Sequence, residues 1–245
     1  SRLIEAYMAF PERFSNLPAY AFPRLRALLD SHPAGGEPIA MSIGEPKHAF
    51  PAWIQDILVA HMSEFNAYPP NDGSPELLSN IAAWIARRYG VCVNPLTDIL
   101  SLNGTREGLY NAAMALCPEA KAGQPPLVLL PNPFYQVYLA ATFSVAAQPH
   151  LVTARAANGF LSDYASLSPD VLNRTAMAYI CSPSNPQGAV ASAAYLKSLI
   201  ELAETYDFKI FADECYSEIY RKGAPSGALQ IANQIGADPE RVVVF

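Results

Sequence analysis

Charge is scarce in this chain and nowhere concentrated. Only 16% of its 245 residues are charged, and the lysines and arginines form no block longer than Arg87-Arg88. With a net charge of -6 and an isoelectric point near 5.2, the sequence offers no surface suited to nucleic acid. Long apolar runs are missing as well. No stretch reaches the roughly 18 uninterrupted apolar residues that span a bilayer, so no membrane partner is expected. The N-terminus, Ser1-Arg2-Leu3-Ile4-Glu5-Ala6-Tyr7-Met8, carries an acid early and lacks the apolar centre of a secretory signal, which makes a cytoplasmic location the expectation. The four cysteines, Cys92, Cys117, Cys181 and Cys215, are far apart and form no Cys-x-x-Cys pair. They fit reduced thiols better than a disulfide framework or a zinc site, and the scattered histidines add no metal cluster. What the chain has is apolar residues, 51% of the total. That is enough to bury a sizeable core in one large domain or two modest ones.

Proline punctuates residues 1–40, at Pro11, Pro18, Pro23, Pro33 and Pro38. Only residues 22–30 there have helical spacing, with Pro23 in the tolerated first turn. Residues 1–40 therefore read as an extended N-terminal arm with one helix, and residues 41–245 as the main domain. Gly35-Gly36-Glu37-Pro38 turns into a short apolar run that ends at Gly44-Glu45-Pro46. Apolar residues three and four apart predict amphipathic helices over 51–65 and 75–89. Short apolar runs predict strands at 98–102, 127–130, 176–181, 208–212 and from 242. Small-residue or amphipathic helices are expected from Thr105 to Cys117, from about Tyr135, and over 193–206. Such alternation implies an α/β fold: a three-layer α/β/α arrangement around a mainly parallel sheet.

Several segments would then meet at the sheet edge where open α/β sheets bind ligands. Asn103-Gly104-Thr105-Arg106-Glu107 stands before a helix, with Gly104 allowing close approach, Thr105 a hydroxyl, and the helix start its amide donors. This suits a phosphate dianion, and it equally suits an ordinary capping box. Neither a Walker loop nor a dinucleotide Gly-x-Gly-x-x-Gly is present. Pro131-Asn132-Pro133-Phe134-Tyr135 places Tyr135 where it would stack on a flat ring, or pack as a core aromatic. Ser182-Pro183-Ser184-Asn185-Pro186-Gln187-Gly188 puts Asn185 in a turn dipeptide that tolerates a cis bond. Its amide would donate to a phenolate oxygen or complete an Asx turn. Asp213, in Phe211-Ala212-Asp213-Glu214-Cys215-Tyr216, is a carboxylate at a strand end and needs a cation or donor opposite it. A protonated pyridine would serve, as would a helix start capped by Asp213; Tyr216 reads as a second ring contact or a core tyrosine.

Taken jointly, these segments resemble the class I and II aminotransferases of fold type I, over residues 18–245. Asn185-Pro186-x-Gly188 with Asp213-x-x-Tyr216 is the most specific part of the likeness. The resemblance implies a pyridoxal 5'-phosphate cofactor whose phosphate meets Gly104, Thr105 and Arg106. It implies that Tyr135 stacks on the ring, that Asn185 and Tyr216 bind the ring oxygen, and that Asp213 pairs with the ring nitrogen, making the ring an electron sink. By the same likeness, Tyr68 reaches the phosphate of the partner subunit in a homodimer, and Gly44 meets the substrate carboxylate. Residues 41–245 become an incomplete cofactor-binding large domain, and 1–40 an arm and small-domain segment. None of Lys47, Lys121, Lys197, Lys209 and Lys222 matches the family's Schiff-base lysine. That lysine is expected after Phe245, as are the carboxylate-binding arginine and a C-terminal small domain. The segments look most similar to succinyldiaminopimelate transaminases, which implies amino transfer between glutamate and an N-succinylated keto acid; Lys47 and His48 lie beside Gly44, either at a distal carboxylate or in a solvated loop. Aspartate, alanine or aromatic aminotransferases, a lyase of the same fold, and a non-catalytic aminotransferase-like binding domain remain as alternatives.

Overall fold

A computed structural model describes residues 14, 17–45 and 47–245. The expected beginning of the arm, including residues 1–7 and Pro11, lies outside the described residues, as does Pro46. The chain divides into two compact units, one spanning Asn16–Asn71 and one containing Asp72–Phe245.

The smaller unit holds helices α1 (Ala21–Asp30) and α2 (Trp53–Ala60), followed by a 3-10 turn at Met62–Asn66. The single helix expected over 51–65 is thus broken at His61, whose φ of -107° and ψ of 12° leave the helical region. Neither α1 nor α2 buries a residue, and Trp53, Phe65 and Tyr68 are exposed.

The larger unit begins with α3 (Pro75–Tyr89). Ser74 caps it by accepting from the Leu77 N–H at 3.2 Å, Pro75 fills the first turn, and Gly90 closes it in the left-handed conformation at φ 68°. Next come α4 (Thr105–Leu116), β1 (Leu127–Asn132), α5 (Gln136–Ser144), β2 (Gln148–Thr153), α6 (Pro169–Arg174), β3 (Thr175–Cys181), α7 (Ala193–Tyr206), β4 (Lys209–Asp213), α8 (Ala228–Ile235) and β5 (Val242–Val244). The five strands form one parallel sheet in the order β2-β1-β3-β4-β5.

Side-chain alternation explains the layering, because successive strand residues face opposite sides of the sheet. Val128, Leu130, Met177, Tyr179 and Phe211 point to one side, where Leu109 and Ala113 of α4 and Tyr138 and Ala141 of α5 cover them. Leu129, Ala178, Ile180, Ile210 and Ala212 point to the other, under Leu196, Leu199, Ile200 and Ala203 of α7 and Ile231 of α8. Both faces of the central strands β1, β3 and β4 are covered, so these strands read as continuous apolar runs. The three-layer α/β/α expectation matches the observed architecture.

Two local expectations need correction. Residues 98–102 form no strand: Asn94 N–H donates to Asp98 Oδ2 at 2.8 Å and Leu96 N–H to Asn94 Oδ1 at 3.0 Å, closing a turn just before the segment, which then runs on as irregular chain with Leu100 64% exposed. Conversely β2, α6 and α8 were not foreseen. No helix among the described residues is long and apolar enough to cross a membrane, and they contain no cluster of three metal-ligating side chains.

Candidate active site

The strand order places a switch point between β1 and β3, since the chain leaves β1 outward to β2 and then returns to the opposite flank. Ligand crevices of open α/β sheets lie there, beyond the carboxyl ends of the strands. A cavity of about 410 Å³ occupies that position. It is walled by Thr105 and Arg106 from the start of α4, Tyr135 after β1, Asn185 after β3, and Asp213 and Tyr216 from the end of β4. Residues far apart in sequence thus converge on one volume.

At its floor Asp213, 5% exposed, accepts a hydrogen bond from the Tyr138 hydroxyl through Oδ2 at 2.6 Å. Its other oxygen has a long contact from the Cys215 N–H at 3.4 Å, and the Cys215 thiol also interacts with the carboxylate. Asp213 therefore ends β4 without capping a helix, and one face of its carboxylate is available to the cavity. Tyr138 was not singled out from the sequence; its signal was its place three residues after Tyr135, one turn along α5. Burial, and then the charge of Asp213, push the Tyr138 hydroxyl far above its ordinary pKa, so it stays a donor. The same two causes raise the flanking thiols, Cys181 to about 11 and Cys215 to about 12. Both are neutral at physiological pH.

Across the cavity Asn185 Nδ2 donates to the Tyr216 hydroxyl at 3.2 Å. The Asn185-Pro186 bond is cis. Burial raises the pKa of Tyr216 against the lowering influence of Asn185, which leaves a neutral hydroxyl with a proton to give. Tyr135, 38% exposed, meets Tyr138 edge-on at a centroid distance of 5.8 Å, and Arg106 Nε donates to its hydroxyl at 2.6 Å. Gly104 is the N-cap of α4 with φ 110° and ψ 146° and no side-chain capping bond, so Thr105 is the first helical residue and caps nothing. Thr105 and Arg106 line the cavity at that helix start, where the helix dipole favours an anion.

Gly44, Lys47, His48 and Tyr68 belong to the smaller unit. An added Cβ at Gly44 meets nothing within 4 Å. Lys47 pairs with Glu45, His48 is exposed, and Tyr68 is fully exposed. Among the described residues, no lysine lines the cavity.

The donor set fits pyridoxal phosphate. A buried carboxylate that lines the cavity suits a ring N–H, a paired amide and hydroxyl suit a ring oxygen, and a helix start without a side-chain cap suits the phosphate. The volume is within the range of cofactor sites.

Comparison with known proteins gives the same picture. Residues 37–244 match the family model described as aminotransferase class I and II. The LL-diaminopimelate aminotransferase of Moorella thermoacetica is 33% identical over 219 residues, covering 87% of this chain and 55% of the relative. That of Desulforudis audaxviator is 33% identical over 231 residues, 92% of this chain and 58% of its own. The chain therefore spans little more than half the length of these curated relatives. Among solved structures, an aminotransferase from Neisseria meningitidis superposes with a TM-score of 0.88 at 36% identity, over 96% of this chain and 60% of that one. An aminotransferase from Helicobacter pylori gives a TM-score of 0.85 at 32% identity, over 94% and 60%.

Proposed function

The chain belongs to the class I and II aminotransferases, a family that uses pyridoxal 5'-phosphate, and on that premise we propose that the whole protein moves an amino group between an amino acid and a keto acid. The observation that carries this reading is the convergence of Thr105, Tyr135, the Asn185–Tyr216 pair and Asp213 on one cavity at the switch point. When bound, the cofactor supplies an electron sink for the bond-breaking step at the substrate α-carbon. Each residue has a role in holding it. The start of α4, with Gly104, Thr105 and Arg106, fixes the phosphate. Tyr135 covers the ring, Asn185 and Tyr216 hold the ring oxygen, and Asp213 keeps a proton on the ring nitrogen through a charge-assisted hydrogen bond. Tyr138 holds the Asp213 carboxylate toward that nitrogen.

The further roles rest on the family alone: Gly44 at the substrate carboxylate, Tyr68 at the partner's phosphate in a homodimer, residues 41–245 as the cofactor-binding domain with 1–40 as arm and small-domain segment, and a cytoplasmic setting. For the substrate we favour a long amino dicarboxylate of lysine biosynthesis. The relatives named LL-diaminopimelate aminotransferase point to that compound, while the segment likeness pointed to an N-succinyl-2-amino-6-ketopimelate with glutamate as donor. Both share an α-amino or α-keto acid at one end and a second polar end.

The test uses the full-length protein. It should show cofactor absorbance at the edge of the visible range, lost on borohydride treatment with a lysine labelled. A colourless protein that binds no pyridoxal phosphate would sink the reading. Supplying each amino-donor and keto-acceptor pair separately then decides the substrate. Transfer with aspartate, alanine or aromatic pairs alone would remove the lysine-pathway assignment, and release of ammonia and pyruvate would turn the reading to a lyase.

A further inference from the structure

Behind the cavity lies a buried polar cluster that none of these roles uses. Glu214 follows Asp213 directly, yet it does not line the cavity that Asp213, Cys215 and Tyr216 share. At 8% exposure, its Oε1 accepts from the Ala228 N–H at 2.6 Å, at the start of α8, and its Oε2 from the Tyr89 hydroxyl at 3.1 Å. Its backbone N–H donates to the Phe245 carbonyl at 3.0 Å, and its own carbonyl accepts from the Ser217 N–H at 2.8 Å, closing the turn that carries Tyr216.

The far end of that turn is held from the same helix. Arg88 Nη2 donates to the carbonyls of Ser217 at 3.3 Å and Pro225 at 3.0 Å, and Nε donates to Glu218 Oε1 at 2.6 Å. The guanidinium stands 4.5 Å from the centre of the Tyr89 ring. Two adjacent residues at the end of α3 thus grip both ends of the turn. The cluster is filled: a Cβ on Gly227 would come within 2.6 Å of Tyr89 Cε1 and 2.8 Å of Glu214 Oε2.

Stability alone is a poor account of such a cluster. Burying an ionisable group costs desolvation, and exchanging buried charged groups for apolar ones is often neutral or favourable. What directional hydrogen bonds supply instead is a single geometry. We propose that Glu214, with Tyr89 and Arg88, is a positioning device that holds the Asp213–Tyr216 turn where the Asp213 carboxylate and the Tyr216 hydroxyl both meet the cofactor ring. This rests on the pyridoxal phosphate reading above. Constellations of this kind must be held to about 0.5 Å, and a shift of roughly 1 Å costs on the order of a hundredfold.

The variants are Glu214→Gln, which keeps the shape but turns one acceptor oxygen into an amide donor, and Tyr89→Phe, which removes one hydroxyl. Both are made in the full-length protein, and two properties are read: the Kd for pyridoxal phosphate by titration of the apoprotein, and the visible circular dichroism of the bound cofactor, which reports how the ring is seated. For Glu214→Gln we expect the Kd to rise about tenfold and the dichroic band to change, with a smaller change of the same sense for Tyr89→Phe. Variants that melt earlier yet keep the wild-type Kd and band would make the cluster merely structural and overturn the proposal. If Glu214→Gln fails to fold, Tyr89→Phe decides by the same two readings. A wild-type protein that binds no pyridoxal phosphate would end the cofactor reading and this proposal together, whereas normal wild-type binding with unchanged variants would end only this one.

Discussion

Replacing Tyr138 by phenylalanine removes one oxygen atom from the core and little else. The ring stacks on Tyr179 at 4.5 Å and 13° and meets Tyr135 edge-on, contacts that phenylalanine keeps. What disappears is the 2.6 Å donation to Asp213 Oδ2, between side chains that are 1% and 5% exposed. A hydrogen bond to a charged acceptor contributes about 1.5–3 kcal/mol, and leaving a buried acceptor unmet carries the full desolvation cost. The contact from the Cys215 N–H to Oδ1 at 3.4 Å is too long to compensate. We expect Tyr138→Phe to lower the free energy of unfolding by about 2 kcal/mol, a factor of roughly 30 in the equilibrium constant. The carboxylate also becomes free to rotate, so the full-length apoprotein should bind pyridoxal phosphate about tenfold more weakly, within the span of one lost charged hydrogen bond. Urea unfolding of the apoprotein at an unchanged m-value reads the first effect, and a cofactor titration the second. A stability change below about 0.5 kcal/mol with an unmoved Kd would show that Asp213 does not depend on Tyr138.

Asp213→Ala in the full-length protein should cut the rate of amino transfer by about a hundredfold or more while far-ultraviolet dichroism stays native; near-normal turnover would strip Asp213 of its role. Gly104→Ala forces a Cβ onto a residue at φ 110°, which costs about 1–3 kcal/mol unless the backbone relaxes and withdraws the amides of α4. Either way the Kd for pyridoxal phosphate should rise, and an unchanged Kd would remove the start of α4 from the phosphate site. The Glu214 carboxyl is raised above its ordinary 4.5, first by burial, against the lowering hydrogen bonds from Ala228 and Tyr89. The folded state then keeps this proton to higher pH than the unfolded chain does, so the stability it contributes is present below about pH 4.5 and is lost as pH rises through the folded value. The unfolding free energy of wild type relative to Glu214→Gln should accordingly fall from about pH 4 to pH 7, and a rise would contradict the assignment.

The central strands were legible because each is a short, continuous apolar run between turn residues, and α7 because its 3.6-residue pattern is unbroken after Ser192. β2 was not, for an opposite reason. It is an edge strand that carries Pro149 and buries only Val152, so its sequence lacks both the run and the alternation. Residues 98–102 show the converse error, a short apolar stretch that follows a turn built by Asn94 and Asp98 and pairs with no strand. The site divides in the same way. Gly104, Tyr135, Asn185, Asp213 and Tyr216 stand next to turn signals at element ends, where sequence reading has purchase. Tyr138 lies inside a helix, and the Tyr89–Glu214 contact joins residues 125 apart in the chain. Only the folded sheet brings such partners together.

The switch point also has a consequence for synthesis. Strands added on both flanks of β1 mean that no early portion of the nascent chain contains the cavity. Thr105 leaves the ribosome long before Tyr216, and parallel pairings such as Cys181 with Asp213 close only after β4 has emerged and folded against β3. Non-local pairing of this kind is slow to form. On the pyridoxal phosphate reading, cofactor capture comes only after β4 has joined the sheet, and a ligand that binds the folded cavity would favour that last step by mass action.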